Sequence, residues 1–215
     1  MFLIALVITL VLSIPAGGSN SCSTRFVLGT LAGELGFFIA TVTWLHYVDR
    51  GRVAALGLPG HPGGDLLWGI ATGLALVVAG GIVIAITRAV GTAILGHAPR
   101  EPEQVLPCVQ GAALVVLAPI VVLAAPIGEE TFFRGYLFKG LRRRFALWPA
   151  AAISAVAFGA AHFSAVSFLL LVPGLIVVGL GLAIVYEKRQ SLVASVTAHA
   201  TFNLIGYLMI ALSRR

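Results

Sequence analysis

Charged residues are scarce in this chain. They make up 10% of its 215 residues, whereas hydrophobic residues make up 59%. A soluble globular protein usually has about a quarter charged residues, so this composition excludes a water-soluble domain of this size. It predicts an integral membrane protein whose main partner is the lipid bilayer.

Several sequence patterns that define other protein classes are missing. Only Cys22 and Cys108 are present, which excludes a disulfide framework and a CxxC metal site. The chain also has no HExxH helix, no GxSxG turn, no pair of membrane aspartates and no glycine-rich nucleotide loop. Zinc proteases of the HExxH type, serine hydrolases with a nucleophile elbow and nucleotide-binding enzymes are therefore disfavoured.

The net charge of +6 does not indicate a nucleic-acid partner. The basic residues are few and form short clusters between apolar runs, as in the Arg142–Arg144 triplet. Such clusters at membrane edges set topology. We predict that the connectors 48–65, 139–146 and 187–190 share the cytoplasmic side. We expect a multi-pass protein of a prokaryotic plasma membrane, because the chain is small and no soluble domain is evident.

Apolar runs long enough to span a membrane predict an all-α transmembrane bundle. The predicted helices are 2–16, 26–47, 66–87, 105–141, 147–163, 166–186 and 191–212. An eighth helix would result if region 105–141 broke at Pro107, Pro119 or Pro126, because proline removes a helical hydrogen bond. The first segment could instead be a cleaved signal peptide, although no basic residue precedes its apolar core.

Ionisable residues at membrane depth are costly and are by default candidates for function. His46 and Arg88 lie near predicted helix ends, where their side chains can reach the interface. Glu34 lies among small residues and has two interpretations, a cavity-lining group or a hydrogen-bond partner of a neighbouring helix. The second interpretation is favoured.

Three more charged residues, Glu129, Glu130 and Arg134, interrupt the apolar region 105–141. Glu130 precedes Arg134 by four residues, which is the favourable order for a helical ion pair. Adjacent helical residues point about 100° apart, since a turn holds about 3.6 residues. We therefore predict that Glu130 and Arg134 brace the helix and that Glu129 faces elsewhere as a general base.

Two further motifs each place a pair of side chains on the same face of one helix. Phe158 precedes His162 by four residues, and Asn203 follows His199 by four. Counted at about 1.5 Å per residue, both histidines and Glu129 can reach a common level near the middle of the bilayer. The sequence thus permits a cluster of Glu129, His162, His199 and Asn203 in a polar cavity within the membrane.

Such a cluster has two chemical interpretations. A carboxylate with a histidine can deprotonate water, while a second histidine and an amide can stabilise an oxyanion, which together allow amide hydrolysis without a metal. Two histidines and a glutamate are also a zinc ligand set, here Glu129, His162 and His199. The metal-free interpretation is favoured, because an amide suits oxyanion binding and is a poor zinc ligand.

The three motifs, in this order, resemble the CPBP family of intramembrane proteases, which contains type II CAAX prenyl endopeptidases, bacteriocin-processing enzymes and abortive-infection proteins. The similarity covers about residues 120–207 and includes EExxxR, FxxxH and HxxxN patterns. It divides the single membrane domain into residues 1–104, without family signature, and a catalytic core of residues 105–215.

The resemblance implies an intramembrane endopeptidase of a family that has been regarded both as metal-dependent and as glutamate-dependent, and we favour the glutamate-dependent version without a cofactor. Glu129 and His162 would activate water, and His199 with Asn203 would form the oxyanion hole. Glu130, Arg134 and Phe158 would be supporting residues. The substrate would be a peptide or protein at the membrane, with or without a lipid group. Alternatives are the zinc-dependent version, helix packing through polar contacts, or a scaffold or immunity protein that binds a peptide in the same cavity.

Overall fold

A computed structural model describes residues 19–47, 56–57, 62–97, 112–162 and 170–212. These residues form six helices and no strand. The helices are α1 (Ser19–Tyr47), α2 (Pro62–Leu95), α3 (Ala112 to Arg142), α4 (Leu147–Ala161), α5 (Val172–Arg189) and α6 (Leu192–Leu212). The all-α prediction is confirmed. The predicted helix 2–16 lies outside the described residues, so the expected total of seven is a prediction still.

The long helix α3 does not break at its two described prolines. It runs through Ala112–Pro119, a π-helical turn at Ile120–Ala124, Ala125–Glu130, a π-helical segment at Thr131–Phe138, and Lys139–Arg142. A π-helical turn bonds residue i to i+5 instead of i+4, so the chain absorbs a lost bond without leaving the helix. The eighth helix that a break would create is therefore absent from residues 112–142.

Three described helices are long and apolar enough to cross a membrane: Gly63–Leu95, Leu114–Arg142 and Leu192–Leu212. The shorter helix Leu147–Ala161 is also apolar. Large side chains along α2 are mostly exposed, for example Val78 at 62% and Ile94 at 77%. Exposed apolar surface of this extent suits contact with lipid, and the chain is a membrane protein.

Glycines allow helices α2, α5 and α6 to approach one another closely. A Cβ added to Gly73 of α2 would lie 2.5 Å from the Ala198 carbonyl oxygen of α6. One added to Gly174 of α5 would lie 2.5 Å from Ile84 of α2. Since real Cβ atoms do not approach other atoms so closely, these positions require glycine. This close packing of small residues joins α2, α5 and α6.

Two clusters of buried apolar side chains lie between the helices. One surrounds the polar site and comprises Leu76, Phe132, Phe133, Phe158, Val178, Leu182, Val185, Ala194 and Ala198. The other comprises Leu45, Leu56, Phe138, Ala150, Ala151, Ala183, Tyr186 and Leu192. The first cluster provides an apolar wall around the buried charges described below.

Ion pairs join the helix ends on one side of the bundle. Arg189 at the end of α5 lies 2.8 Å from Asp65 at the start of α2. Arg142 at the end of α3 lies 2.8 Å from Glu187 near the end of α5. These contacts place the ends of α3 and α5 and the start of α2 on one side, as the connector assignment predicted.

Candidate active site

A buried ion pair forms the centre of the site. The Arg134 Nη1 atom lies 2.7 Å from Glu130 Oε1, and both side chains are fully buried. Arg134 Nη2 donates a second hydrogen bond to the Gly179 carbonyl of α5 at 2.9 Å. The guanidinium also lies over the Phe158 ring, 4.8 Å from its centroid. The predicted brace is present, and it links α3 to α4 and α5.

Glu130 also binds the first residue of the HxxxN motif. His199 Nδ1 lies 2.9 Å from the same Oε1 atom that Arg134 contacts. Because an ionised carboxylate only accepts hydrogen bonds, His199 Nδ1 carries the proton and donates it. The Nε2 atom of His199 is then the nitrogen left for other chemistry. Glu130 therefore orients a histidine of α6 in addition to the arginine of its own helix.

Glu129 faces the other histidine. Its Oε2 atom lies 3.6 Å from His162 Nε2, and the two side chains are 9% and 32% exposed. His162 Nδ1 lies 2.8 Å from the Phe158 carbonyl, which can only accept, so Nδ1 is the donor. In the neutral ring Nε2 is consequently an acceptor that faces a carboxylate. A water that donates one hydrogen to each acceptor would satisfy both groups.

Phe158 packs against both histidines. Its ring centroid lies 4.6 Å from that of His162 and 5.5 Å from that of His199. One aromatic ring therefore contacts the histidine partners of both Glu129 and Glu130. The predicted packing of Phe158 against His162 is present, and the additional contact with His199 could not be derived from spacing.

Asn203 contacts the irregular part of α3. Its Nδ2 atom donates to the Val121 carbonyl at 2.9 Å. In the π-helical turn the Ala125 amide bonds to Ile120, and the next residue, Pro126, has no amide hydrogen to offer Val121. The asparagine thus satisfies a carbonyl that the proline leaves unpaired. One amide hydrogen of Asn203 remains for another acceptor.

The structure brings the predicted residues together in two pairs. Glu129 faces His162, and His199 binds Glu130. Asn203 lies one helical turn beyond His199 and contacts α3 through the backbone instead of a predicted site residue. The predicted single cluster is therefore arranged as two adjacent histidine–carboxylate pairs along α3.

Sequence reasoning did not assign Glu34 to this site. Its carboxyl lies against Gly128 of α3 and interacts with the Glu129 carboxyl. This contact agrees with the favoured interpretation of Glu34 as a hydrogen-bond partner of a neighbouring helix. The sequence pattern that pointed to Glu34 was an acidic residue among small residues at membrane depth. Nothing in the sequence identified Glu129 as its partner.

The described part of the chain contains no group of three His, Cys, Asp or Glu side chains that could hold a metal ion. His199 directs Nδ1 to Glu130, and His162 directs Nδ1 to a backbone carbonyl. These bonds leave both Nε2 atoms available, an arrangement that suits a zinc-bound histidine as well as a metal-free one. We derive no catalytic step through a metal.

The part of the chain that carries the three motifs matches a known protein family. Residues 111–205 match the family model described as type II CAAX prenyl endopeptidase Rce1-like. The predicted family resemblance is confirmed over these residues. They include every motif residue from Glu129 to Asn203, whereas Glu34 lies outside them. Comparisons with curated proteins and with solved structures gave no match.

Proposed function

We propose that the chain is a multi-pass intramembrane endopeptidase that uses a glutamate-activated water. The observation that carries this proposal is the pair formed by Glu129 and His162, whose facing atoms are 3.6 Å apart. With Nδ1 held by the Phe158 carbonyl, His162 presents an acceptor beside the carboxylate. The Rce1-like match supports peptide-bond hydrolysis as the reaction.

The reaction begins with a water hydrogen-bonded to Glu129 and His162. As the water oxygen bonds to the substrate carbonyl carbon, its proton passes to Glu129. The protonated Glu129 then gives this proton to the amide nitrogen while the carbon–nitrogen bond breaks. The products are a carboxylic acid and an amine, and Glu129 returns to its starting state.

In this proposal His199 and Asn203 stabilise the oxyanion. The Glu130 carboxylate accepts a hydrogen bond from His199 Nδ1 and orients the ring, as the buried aspartate does in a catalytic triad. A protonated His199 donates from Nε2, and Asn203 donates its remaining amide hydrogen. The removal of one oxyanion-hole donor typically costs about 100- to 1000-fold in kcat.

The proposed substrate is a peptide segment at the membrane, and a lipidated protein is one member of that class. The site lies against helices that expose apolar surface, which suits a substrate with apolar parts. We further propose a prokaryotic plasma membrane as the location.

Comparison of wild type with Glu129→Gln tests the proposal without knowledge of the substrate. Both proteins are expressed at equal levels in membranes, and new peptide N-termini are identified by mass spectrometry. We expect termini that appear only with wild type. Leu123→Ala is a matched control on the same helix, because Leu123 is 56% exposed, and it should behave as wild type.

Absence of wild-type-specific termini, with both proteins folded and in the native host, would instead support a peptide-binding scaffold. Metal dependence is tested on the purified enzyme. We expect a chelator to leave cleavage unchanged. Stoichiometric zinc in the purified enzyme, together with loss of activity on chelation, would contradict the metal-free activation of water proposed here.

A further inference from the structure

A second carboxyl contacts the proposed base from α1. The Glu34 carboxyl lies against Gly128 of α3 and interacts with the carboxyl of Glu129. The Oε2 atoms of both residues are buried and have no hydrogen-bond donor as a partner among the described residues. Gly128 makes room for this arrangement, because a Cβ at that position would lie 2.7 Å from Glu34 Oε2. The contact therefore depends on a glycine immediately before Glu129.

Two carboxyls in contact need a proton between them. An ionised carboxylate only accepts hydrogen bonds, so a pair of carboxylates cannot bond to each other. Two like charges at contact distance in a site with little water also repel strongly. One of the two groups is consequently protonated and acts as the donor.

The surrounding charges identify Glu34 as the protonated member. Arg134 interacts electrostatically with Glu129 as well as with Glu130. His162 of α4 faces Glu129, and His199 of α6 faces Glu130. The positive and hydrogen-bonding groups of the described helices thus lie on the Glu129 side, whereas Glu34 meets only the other carboxyl.

We propose that Glu34 is a positioning residue that donates a hydrogen bond from its neutral carboxyl to the Glu129 carboxylate. This inference rests on the proposed function, since it assigns a partner to the base of that reaction. The hydrogen bond holds the Glu129 carboxylate turned toward His162. During hydrolysis the Glu34 proton stays in place, and Glu129 alone exchanges the proton of the attacking water.

Two variants of Glu34 separate hydrogen bonding from packing. Glu34→Ala removes the donor, whereas Glu34→Gln retains an N–H that can donate to Glu129. We expect Glu34→Ala to lower kcat/KM for a peptide identified above by about 10- to 100-fold, the effect of one lost hydrogen bond to a charged group. Glu34→Gln should restore most of that loss. Leu35→Ala, at an exposed neighbouring position, should have wild-type activity.

Gly128→Ala is an independent probe, because its methyl group would displace the flexible end of Glu34 rather than a backbone atom. We expect a loss of activity similar to that of Glu34→Ala, and no further loss when the two are combined. Gly140→Ala on the same helix is the matched control, since a Cβ there has no neighbour within 4 Å.

Infrared spectroscopy of the full chain in lipid vesicles tests the pair without any substrate. We expect a protonated-carboxyl band in wild type at neutral pH that disappears in Glu34→Gln. Full activity of Glu34→Ala alongside an inactive Glu129→Gln would overturn the inference and leave the protease intact. If Glu129→Gln changes no cleavage, the proposed function fails. The infrared band then tests the carboxyl pair separately: its loss in Glu34→Gln supports a protonated Glu34, and its persistence in that variant contradicts it.

Discussion

Replacement of Arg134 by methionine should strongly destabilise the bundle. The substitution keeps most of the side-chain volume but removes the charge that lies 2.7 Å from Glu130. It also removes the hydrogen bond to Gly179 at 2.9 Å and the contact with the Phe158 ring. Breaking a buried ion pair from one side typically costs about 3–5 kcal/mol, because an uncompensated charge remains. This is a large share of the roughly 5–15 kcal/mol that stabilises most proteins.

The double variant Arg134→Met with Glu130→Gln separates charge from volume. It removes the unpaired carboxylate, so we expect it to recover a substantial part of the lost stability. The assay is thermal unfolding of purified protein in detergent, followed by tryptophan fluorescence. Arg142→Met is the control, since its pair with Glu187 lies at the partly exposed end of the bundle, and surface pairs contribute little.

Two results would contradict this expectation. If Arg134→Met alone were as stable as wild type, the buried carboxylate would be tolerated without its partner. His199, which contacts the same oxygen of Glu130, would then be sufficient to compensate the charge. If the double variant were less stable than the single variant, the Glu130 contact with His199 would outweigh the penalty of an unpaired charge.

Two other substitutions have defined outcomes. Asn203→Leu should lower the free energy of unfolding by about 1–3 kcal/mol, because the Val121 carbonyl loses its hydrogen-bond donor. An unchanged melting temperature would mean that another donor reaches this carbonyl. Gly73→Ala should destabilise by about 1–3 kcal/mol through overpacking, because the added Cβ would meet the Ala198 carbonyl oxygen. The control Gly206→Ala should have the melting temperature of wild type, because a Cβ there has no neighbour within 4 Å. Equal melting temperatures for the two glycine variants would contradict the close packing of Gly73 against α6.

Local spacing accounted for contacts within a helix. Glu130 and Arg134 are four residues apart, as are Phe158 and His162, and both pairs are in contact. The geometry of one helical turn determines such neighbours wherever the helix lies in the bundle. Composition likewise determined the membrane class, because 59% hydrophobic residues cannot be covered by so few charged ones.

Contacts between helices needed the tertiary structure. The pairing of His199 with Glu130, the contact of Glu34 with Glu129 and the bond from Asn203 to Val121 join residues far apart in sequence. They depend on the rotation and separation of whole helices and on the π-helical turns of α3, which shift the register of every side chain beyond them. The sequence by itself therefore identified most of the candidate residues, and the packing of the helices decided which of them meet.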